Sequence, residues 1–431
     1  MKTTVGTAKN WWKLTFLLLF LFTHARVEAQ EFNDFFENRT LRIDYTFSGD
    51  ATHQVIALDQ LHVAPGWFGK RTRLAELPVE GNGQIAVRSR KTGEIVYRIS
   101  FSTLFQEWQS YPEAEKTWRS FENVFLIPMP LDTVDVTVSL FNNRREITST
   151  MTHEVVPTDI LIRRIGERDI TPYTVVQNAA DKSRCIHIAF VAEGYQQSEM
   201  DTFLNDVNIA VEAIFAHEPF QSLRDRFQIV AVQVPSQESG TSEPHNGIWK
   251  NTALHSHFDT FYSQRYLTTL HLKDMHDLLA GIPYEHIIVL VNTDEYGGGG
   301  ILNSYNLSMT HHPRFRPVVV HEFGHSFAGL ADEYAYETEE IPMYPHDIEP
   351  WEPNITTQAN FSQKWQSMLD PKTPVPTPLD YGKIGVYEGA GYSTKGVYRA
   401  FPDCRMRTTD HPEFCEVCRH SIRKLIDFYT K

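Results

Sequence analysis

"VVVHEFGHSFAGLADEY", residues 318–334, is the stretch that decides how this chain is read. Pro317 just ahead of it suits the first turn of a helix, and Val319, Val320, Phe323, Phe327 and Leu330 supply apolar faces at helical spacing. On that helix His321 and His325 stand at i and i+4, so both imidazoles meet on one face and can share a metal ion. Glu322 is rotated about 100° from His321, which sets it beside the metal instead of on it. In such an arrangement zinc acidifies a water and polarises a scissile carbonyl, while Glu322 takes the proton and passes it to the leaving amine.

The five residues His321 to His325 form a pattern that chance can supply, so the surrounding sequence has to carry the rest. Gly329 is where a helix can end and turn back, and Asp332 and Glu333 follow seven and eight residues after His325. A carboxylate there completes a two-histidine, one-carboxylate site with a fourth position left for water. Asp332 is the favoured third ligand and Glu333 the competing one. A helix that merely continued would carry both away, so the turn at Gly329 is a requirement. If the helix were instead an ordinary half-buried one, His321, Glu322 and His325 would each need a separate partner beside three valines and two phenylalanines.

Around this segment the texture is mixed α/β. A buried-type strand "CIHIAFVAEGY", a helical "EMDTFLNDVNIAVEAIFAHEPF", the strand "FQIVAVQVP", a helical "LKDMHDLLAGI" and the strand "HIIVLVNTDEY" precede four glycines, Gly297 to Gly300. The glycines lack the Lys-Ser/Thr of a phosphate loop; they suit close approach of backbone to the cleft, with "ILNSYNLSMT" after them as an edge strand able to pair with an extended peptide. Residues 350–385, rich in Pro and Thr, read as a long surface loop. Upstream, residues 30–158 alternate at period two in "LRIDYTFSG", "GQIAVRSR", "EIVYRISFS", "NVFLIPMP" and "DVTVSLFNN", which predicts an antiparallel β-sandwich whose role is packing or recognition. The domain expectation is therefore 1–29, 30–158 and 159–431.

The first segment reads as a secretory signal peptide: Lys2, Lys9 and Lys13, an apolar core from Leu14 to Phe22, and a cleavage site after Ala29. That core is too short to span a bilayer, and no later segment reaches the required length. The expected protein is exported, at the cell surface, in the periplasm or secreted, with no membrane span. Its 431 residues carry a net charge of −14, which disfavours nucleic acid and anionic membrane as partners and otherwise says mainly that the protein is soluble; a protein or peptide substrate is the expectation that goes with the zinc motif. Of four cysteines, Cys415-x-x-Cys418 alone could mark a redox or zinc pair, but Cys404 lies near and a second such pair is absent. One structural disulfide clipping the C-terminal segment is the preferred reading, with partners open.

Taken together, "HEFGHSFAGLADEY", "IHIAFVAEGY", "DEYGGGG", "VYEGAGYSTKGVYRA" and "CRMR" followed by "FCEVCR" resemble, in order, the M64 family of metallopeptidases, named for IgA peptidase. The resemblance covers about residues 160–431 and extends less specifically to the N-terminal sandwich as the family's accessory domain. It implies a metzincin-like zinc peptidase with one catalytic Zn2+, in which His321, His325 and Asp332 are ligands, Glu322 is the base and Met406 forms a methionine turn under the metal. Metzincins usually place Gly three residues and the third ligand six residues after the second histidine; here Gly329 is four after and Asp332 seven after, so the turn is one residue longer. Arg399-Ala400 stands where an Arg-Pro pair is expected.

Other features are open at this level. Tyr387, Tyr392 and Tyr398 are each candidates to donate to a developing oxyanion. His255 and His257 in "HSHFD" would share one side of a strand, but a surface turn is the plainer reading. Asn38, Asn306, Asn354 and Asn360 head glycosylation sequons. The function from a different class is a surface binding protein for glycan or host protein, its metal site structural or degenerate; an intact Glu322 argues against it.

Overall fold

A computed structural model describes residues 31–336 and 343–431; the expected signal peptide lies outside the described residues. After a short helix α1 (Phe32–Phe35), the chain builds β1 (Phe36–Gly49), β2 (Gln54–Pro65), β3 (Gly83–Ser89), β4 (Ile95–Phe101), a helical turn α2 (Leu104–Trp108), β5 (Arg119–Pro130), β6 (Val134–Phe141), β7 (Ile147–Val155) and a two-residue β8 (Arg163–Arg164). These form two four-stranded sheets, ordered β5-β1-β2-β8 and β4-β3-β6-β7, antiparallel except where β8 joins β2. Alternate residues point inward, as period-two patterning requires: Leu41, Ile43, Tyr45 and Phe47 from β1 meet Ile85 and Val87 from β3 and Val136, Val138 and Leu140 from β6. Phe101 and Phe125 bridge the sheets with ring centroids 4.2 Å apart. Strands β2 and β7 escape a sequence reading because β7 exposes a mostly threonine face, while β2 exposes Val55 and Ala57 along with Asp59, so its apolar residues do not sort to one face.

The second half is organised on a six-stranded sheet with order β13-β14-β12-β10-β11-β9, from β9 (Tyr173–Gln177), β10 (Ile186–Glu193), β11 (Phe227–Val232), β12 (His286–Val291), β13 (Gly298–Ile301) and β14 (Tyr305–Met309). The inner strands β11, β10, β12 and β14 are parallel, while β9 and β13 run antiparallel at the edges. Both faces are covered, which is why these strands read as continuous apolar runs. Ile188, Phe190, Ile229, Ala231, Ile288 and Leu290 pack toward three helices: α3 (Met200–Phe215), α5 (Phe315–Ala328) and α6 (Glu416–Thr430). Ala189, Val191, Val230, Val232, Val289 and Val291 face the other way, into the same core as the N-terminal sandwich and α4 (Leu272–Leu278). Arg42 on β1 fastens this contact through Asp277 and the Lys273 carbonyl.

Two sequence expectations need correction. The glycines themselves form the edge strand β13, and Tyr305–Met309 lies one place inside it, between β13 and β12; the outer edge at Gly298 is bridged by Tyr266. Residues 350–385 are not simply a surface loop. Asn354 and Ile355 are fully buried, Ile355–Thr356 forms the short strand β15 against β17 (Ser393–Arg399), and Trp365 is buried with its indole N–H donated to the Gly385 carbonyl at 2.7 Å. Turn-rich composition hid a segment anchored by a few large side chains.

His286 sits at the start of β12 with its ring edge-on to Phe327, on the reverse face of α5, centroids 4.9 Å apart. Burial, with His187 nearby, pushes its pKa down to about 3. The unfolded chain therefore binds a proton near the ordinary 6.5 that the folded chain refuses until about 3, and stability falls as pH drops through that window. His286→Phe should flatten the dependence by up to about 1.4 kcal/mol per pH unit between roughly pH 6 and 4, relative to the unaltered chain, measured from urea midpoints.

Candidate metal centre

Helix α5 begins at Phe315, two residues before Pro317, and ends at Gly329, whose φ of 60° is the left-handed conformation of a helix C-cap. Gly329 N–H donates to His325 O at 3.0 Å and Leu330 N–H to Gly324 O at 3.2 Å, closing the last turn and sending the chain back along the helix. The returning segment lies extended, so adjacent side chains face opposite ways. Asp332 faces the histidines and Glu333 faces away from them.

His321 Nε2 and His325 Nε2 lie 3.0 Å apart, and Asp332 Oδ1 lies 3.1 Å from the first and 3.3 Å from the second. The tautomers follow from the other ring nitrogens. His321 Nδ1 is 3.0 Å from the Arg405 carbonyl and His325 Nδ1 is 2.6 Å from the Leu330 carbonyl. A carbonyl only accepts, so each Nδ1 carries the proton and each neutral ring turns a lone pair toward the shared point. Asp332 Oδ1 is buried with no hydrogen-bond partner. Two acceptor nitrogens and an orphaned carboxylate oxygen this close require a shared cation. Ligands about 2.0–2.1 Å from a tetrahedral metal are themselves about 3.3 Å apart, so the donor set fits such an ion. Burial pushes the His325 pKa down, but Asp332 and Glu322 outweigh it and raise it to about 9, so without an ion a proton on His325 takes the cation's place, and metal binding displaces it to leave the neutral, ligating ring.

The glycines of β13 pack against α5. A Cβ on Gly300 would stand 2.5 Å from the Glu322 carbonyl oxygen and 3.2 Å from Glu322 Oε2, and one on Gly298 would stand 2.8 Å from Glu322 Oε1. Only glycine permits that approach, and it leaves the Glu322 carboxylate lying along the strand. Burial raises the Glu322 pKa, with His321 and His325 opposing. Beneath the helix, Met406 is fully buried in the turn after Cys404, with its Sδ 2.7 Å from where a Cβ on Gly324 would be. Arg405, its neighbour, supplies the carbonyl that orients His321.

Of the three tyrosines considered, the structure brings Tyr392 to the centre. It donates its hydroxyl to Asp332 Oδ2 and sits in the tight turn between β16 (Tyr387–Ala390) and β17 with a φ of 63°. A non-glycine residue held there costs on the order of 1 kcal/mol or more, a mark of a position kept for its side chain. Tyr387 donates instead to the Lys383 carbonyl at 2.5 Å, and Tyr398 pairs within the β-ladder. His255 and His257 do not converge: the His255 ring packs at a tilt against His271, centroids 4.7 Å apart, and His257 Nδ1 bonds the Phe258 carbonyl. Arg399, before Ala400, ties β16 to the following loop through the Glu388, Gly389 and Pro402 carbonyls.

Three contributors carry no signal in the sequence. Tyr334 has its ring centroid 5.2 Å from that of Tyr392. Asn354, read as a sequon, is fully buried and clamps the ligand segment, accepting from Ala331 N–H at 2.7 Å and donating to Ala331 O and Glu333 Oε1, each at 2.9 Å. Glu107, on α2 of the sandwich, reaches the site: burial pushes its carboxyl up to about 7, the Tyr266 hydroxyl at 2.6 Å opposes that, and the charges of Asp332, His325 and Glu322 all act on it.

The expected disulfide is absent. All four cysteines are free; Cys418 Sγ lies 3.5 Å from Cys415 Sγ and 3.8 Å from Cys404 Sγ, well beyond the roughly 2.05 Å of a bond.

Comparison with known families completes the picture. The family described as IgA peptidase M64 matches residues 174–383 and 380–426, and the family described as peptidase M64 N-terminus matches residues 31–152. The chain belongs to the M64 peptidase family. It is thus a metallopeptidase acting on protein, built as a strand-rich N-terminal part followed by a mixed α/β part. No curated protein matches it. Among the described residues of this M64 peptidase, no helix is long and apolar enough to cross a membrane.

Because Tyr392 donates to Asp332 Oδ2 and helps fix the rotation of that carboxylate, Tyr392→Phe should weaken metal binding by about 10–100-fold with the fold intact, measured by competition against a chelator.

Proposed function

We propose that this chain is an exported zinc metallopeptidase that hydrolyses peptide bonds, with His321, His325 and Asp332 holding the ion and Glu322 as general base. The observation that carries the reading is the convergence of His321 Nε2, His325 Nε2 and the unpartnered Asp332 Oδ1 within 3.3 Å of one another. Two imidazoles and one carboxylate suit zinc, and three protein ligands leave a place for water.

When bound, the metal supplies an acidified water and a Lewis acid for the scissile carbonyl. The chain does the rest. Arg405 and Leu330 carbonyls keep both imidazoles in the ligating tautomer, and Tyr392 holds Asp332 in place. Glu322 accepts the proton of the attacking water on a carboxylate oxygen and delivers it to the departing nitrogen; its burial-raised pKa suits it to both transfers. Residues 30–158 serve as the accessory domain and bring Glu107 within electrostatic range of Asp332, His325 and Glu322.

Glu322→Gln should lose about 10²–10⁴-fold in cleavage of a peptide library while keeping its metal, since the glutamate is not a ligand. Zinc retained in both forms with no Glu322-dependent cleavage would favour the binding-protein role. Export is supported by the basic, apolar, small-residue order of residues 1–29. Protein recovered outside the cytoplasm should begin at Gln30 by N-terminal mass spectrometry; a product retained inside with Met1 intact counts against export.

A further inference from the structure

Glu333, turned away from the peptidase centre, points into a second cluster. Its carboxylate and the sulfurs of Cys404, Cys415 and Cys418 offer ligand atoms that all lie within 4.8 Å of one another, and each residue is at most 5% exposed. Cys404 comes from the loop after β17, while Cys415 caps the N-terminus of α6 and Cys418 sits in its first turn. We propose that these four residues form a second, structural zinc site, closed to substrate, with three thiolates and one carboxylate oxygen as ligands.

Several independent observations support it. Zinc–sulfur bonds of about 2.3 Å and a zinc–oxygen bond of about 2.0–2.2 Å at tetrahedral angles put sulfurs about 3.8 Å apart and sulfur and oxygen about 3.5 Å apart. Here Cys418 Sγ stands 3.5 Å from Cys415 Sγ, 3.8 Å from Cys404 Sγ and 3.3 Å from Glu333 Oε1, and all four ligand atoms lie within 4.8 Å of one another. Glu333 Oε2 is buried with no hydrogen-bond partner, an expensive state for a carboxylate that has no cation beside it. The environment also tolerates the negative charge that three thiolates and a carboxylate leave around a divalent ion. Cys415 N–H donates to Cys404 Sγ at 3.1 Å, Asn354 donates to Glu333 Oε1 at 2.9 Å, and the positive end of α6 faces the site.

The arrangement also has a mechanical use. Glu333 N–H donates to Met406 O at 2.8 Å, and Asp332 and Glu333 are neighbours on one extended segment. A metal on Glu333 and the cysteines therefore rivets that segment to the Met406 turn and to α6, and fixes Asp332 from behind. The site is independent of which peptide the first centre cleaves, or whether it cleaves one.

Native mass spectrometry with elemental analysis on the full chain, purified without chelator, should find two zinc ions per chain. His321→Ala/His325→Ala should retain one, and exchange of that ion for cobalt should give a thiolate-to-cobalt charge-transfer band in the near ultraviolet. Cys404→Ser/Cys418→Ser should abolish that band. The unaltered chain decides the matter even if the cysteine variant does not fold. A single zinc that vanishes in the histidine variant overturns the proposal, as does a disulfide between any two of the three cysteines on alkylation under denaturing conditions.

Discussion

Everything around the centre follows from one awkward requirement: two imidazole nitrogens and a carboxylate oxygen, all acceptors when they ligate, are held about 3 Å apart on largely buried side chains. A helix supplies the first two groups through its own periodicity. It cannot supply the third, because a straight continuation would carry Asp332 along the axis. The left-handed Gly329 folds the chain back, Asn354 clamps the returning backbone at Ala331, and the β16–β17 turn docks beside it through Gly391 N–H to Asp332 O and Tyr392 N–H to Tyr334 O, each 3.0 Å. The acceptors stay together because elements distant in sequence press on them from several sides.

The same logic explains why the two halves of the molecule share a core. One face of the central sheet supports α3, α5 and α6, and the other packs into the hydrophobic cluster of the sandwich. The sandwich is thereby more than a neighbour joined by a linker. Its α2 brings Glu107 to within electrostatic reach of His325, Glu322 and Asp332, and its Val79 lies against Gly329, where an added Cβ would meet it at 3.0 Å.

What the sequence revealed and what it hid divide along physical lines. The helix with His321 and His325, its glycine stop, and the central strands β10, β11 and β12 were legible because apolar periodicity and helix-end chemistry are local. The sandwich strands with one apolar face were legible for the same reason, and β2 and β7 were not, their exposed residues diluting the pattern. The choice between Asp332 and Glu333 was undecidable locally: two adjacent carboxylates on an extended segment face opposite sides, and only tertiary packing says which side holds the histidines. Tyr392 could not be separated from Tyr387 and Tyr398 without knowing which of them occupied the turn. Glu107 had no motif, being brought in by the docking of a different part of the chain. The cysteines misled because spacing alone does not distinguish sulfurs that bond from sulfurs that gather around a carboxylate.

Asn354 carries a consequence for how this protein can be produced. It heads an Asn-x-Thr sequon, yet its side chain is fully enclosed and spends its amide on Ala331 and Glu333; Asn306, heading another, is equally enclosed and bonds Ser326 Oγ. Oligosaccharide is attached to asparagine through that same amide nitrogen, and a bulky sugar needs solvent. A nascent chain that met a glycosylating secretory pathway before folding would carry a sugar where the ligand segment must close. Host choice for this protein is thus a folding variable, and Asn354 makes the centre itself the point of failure.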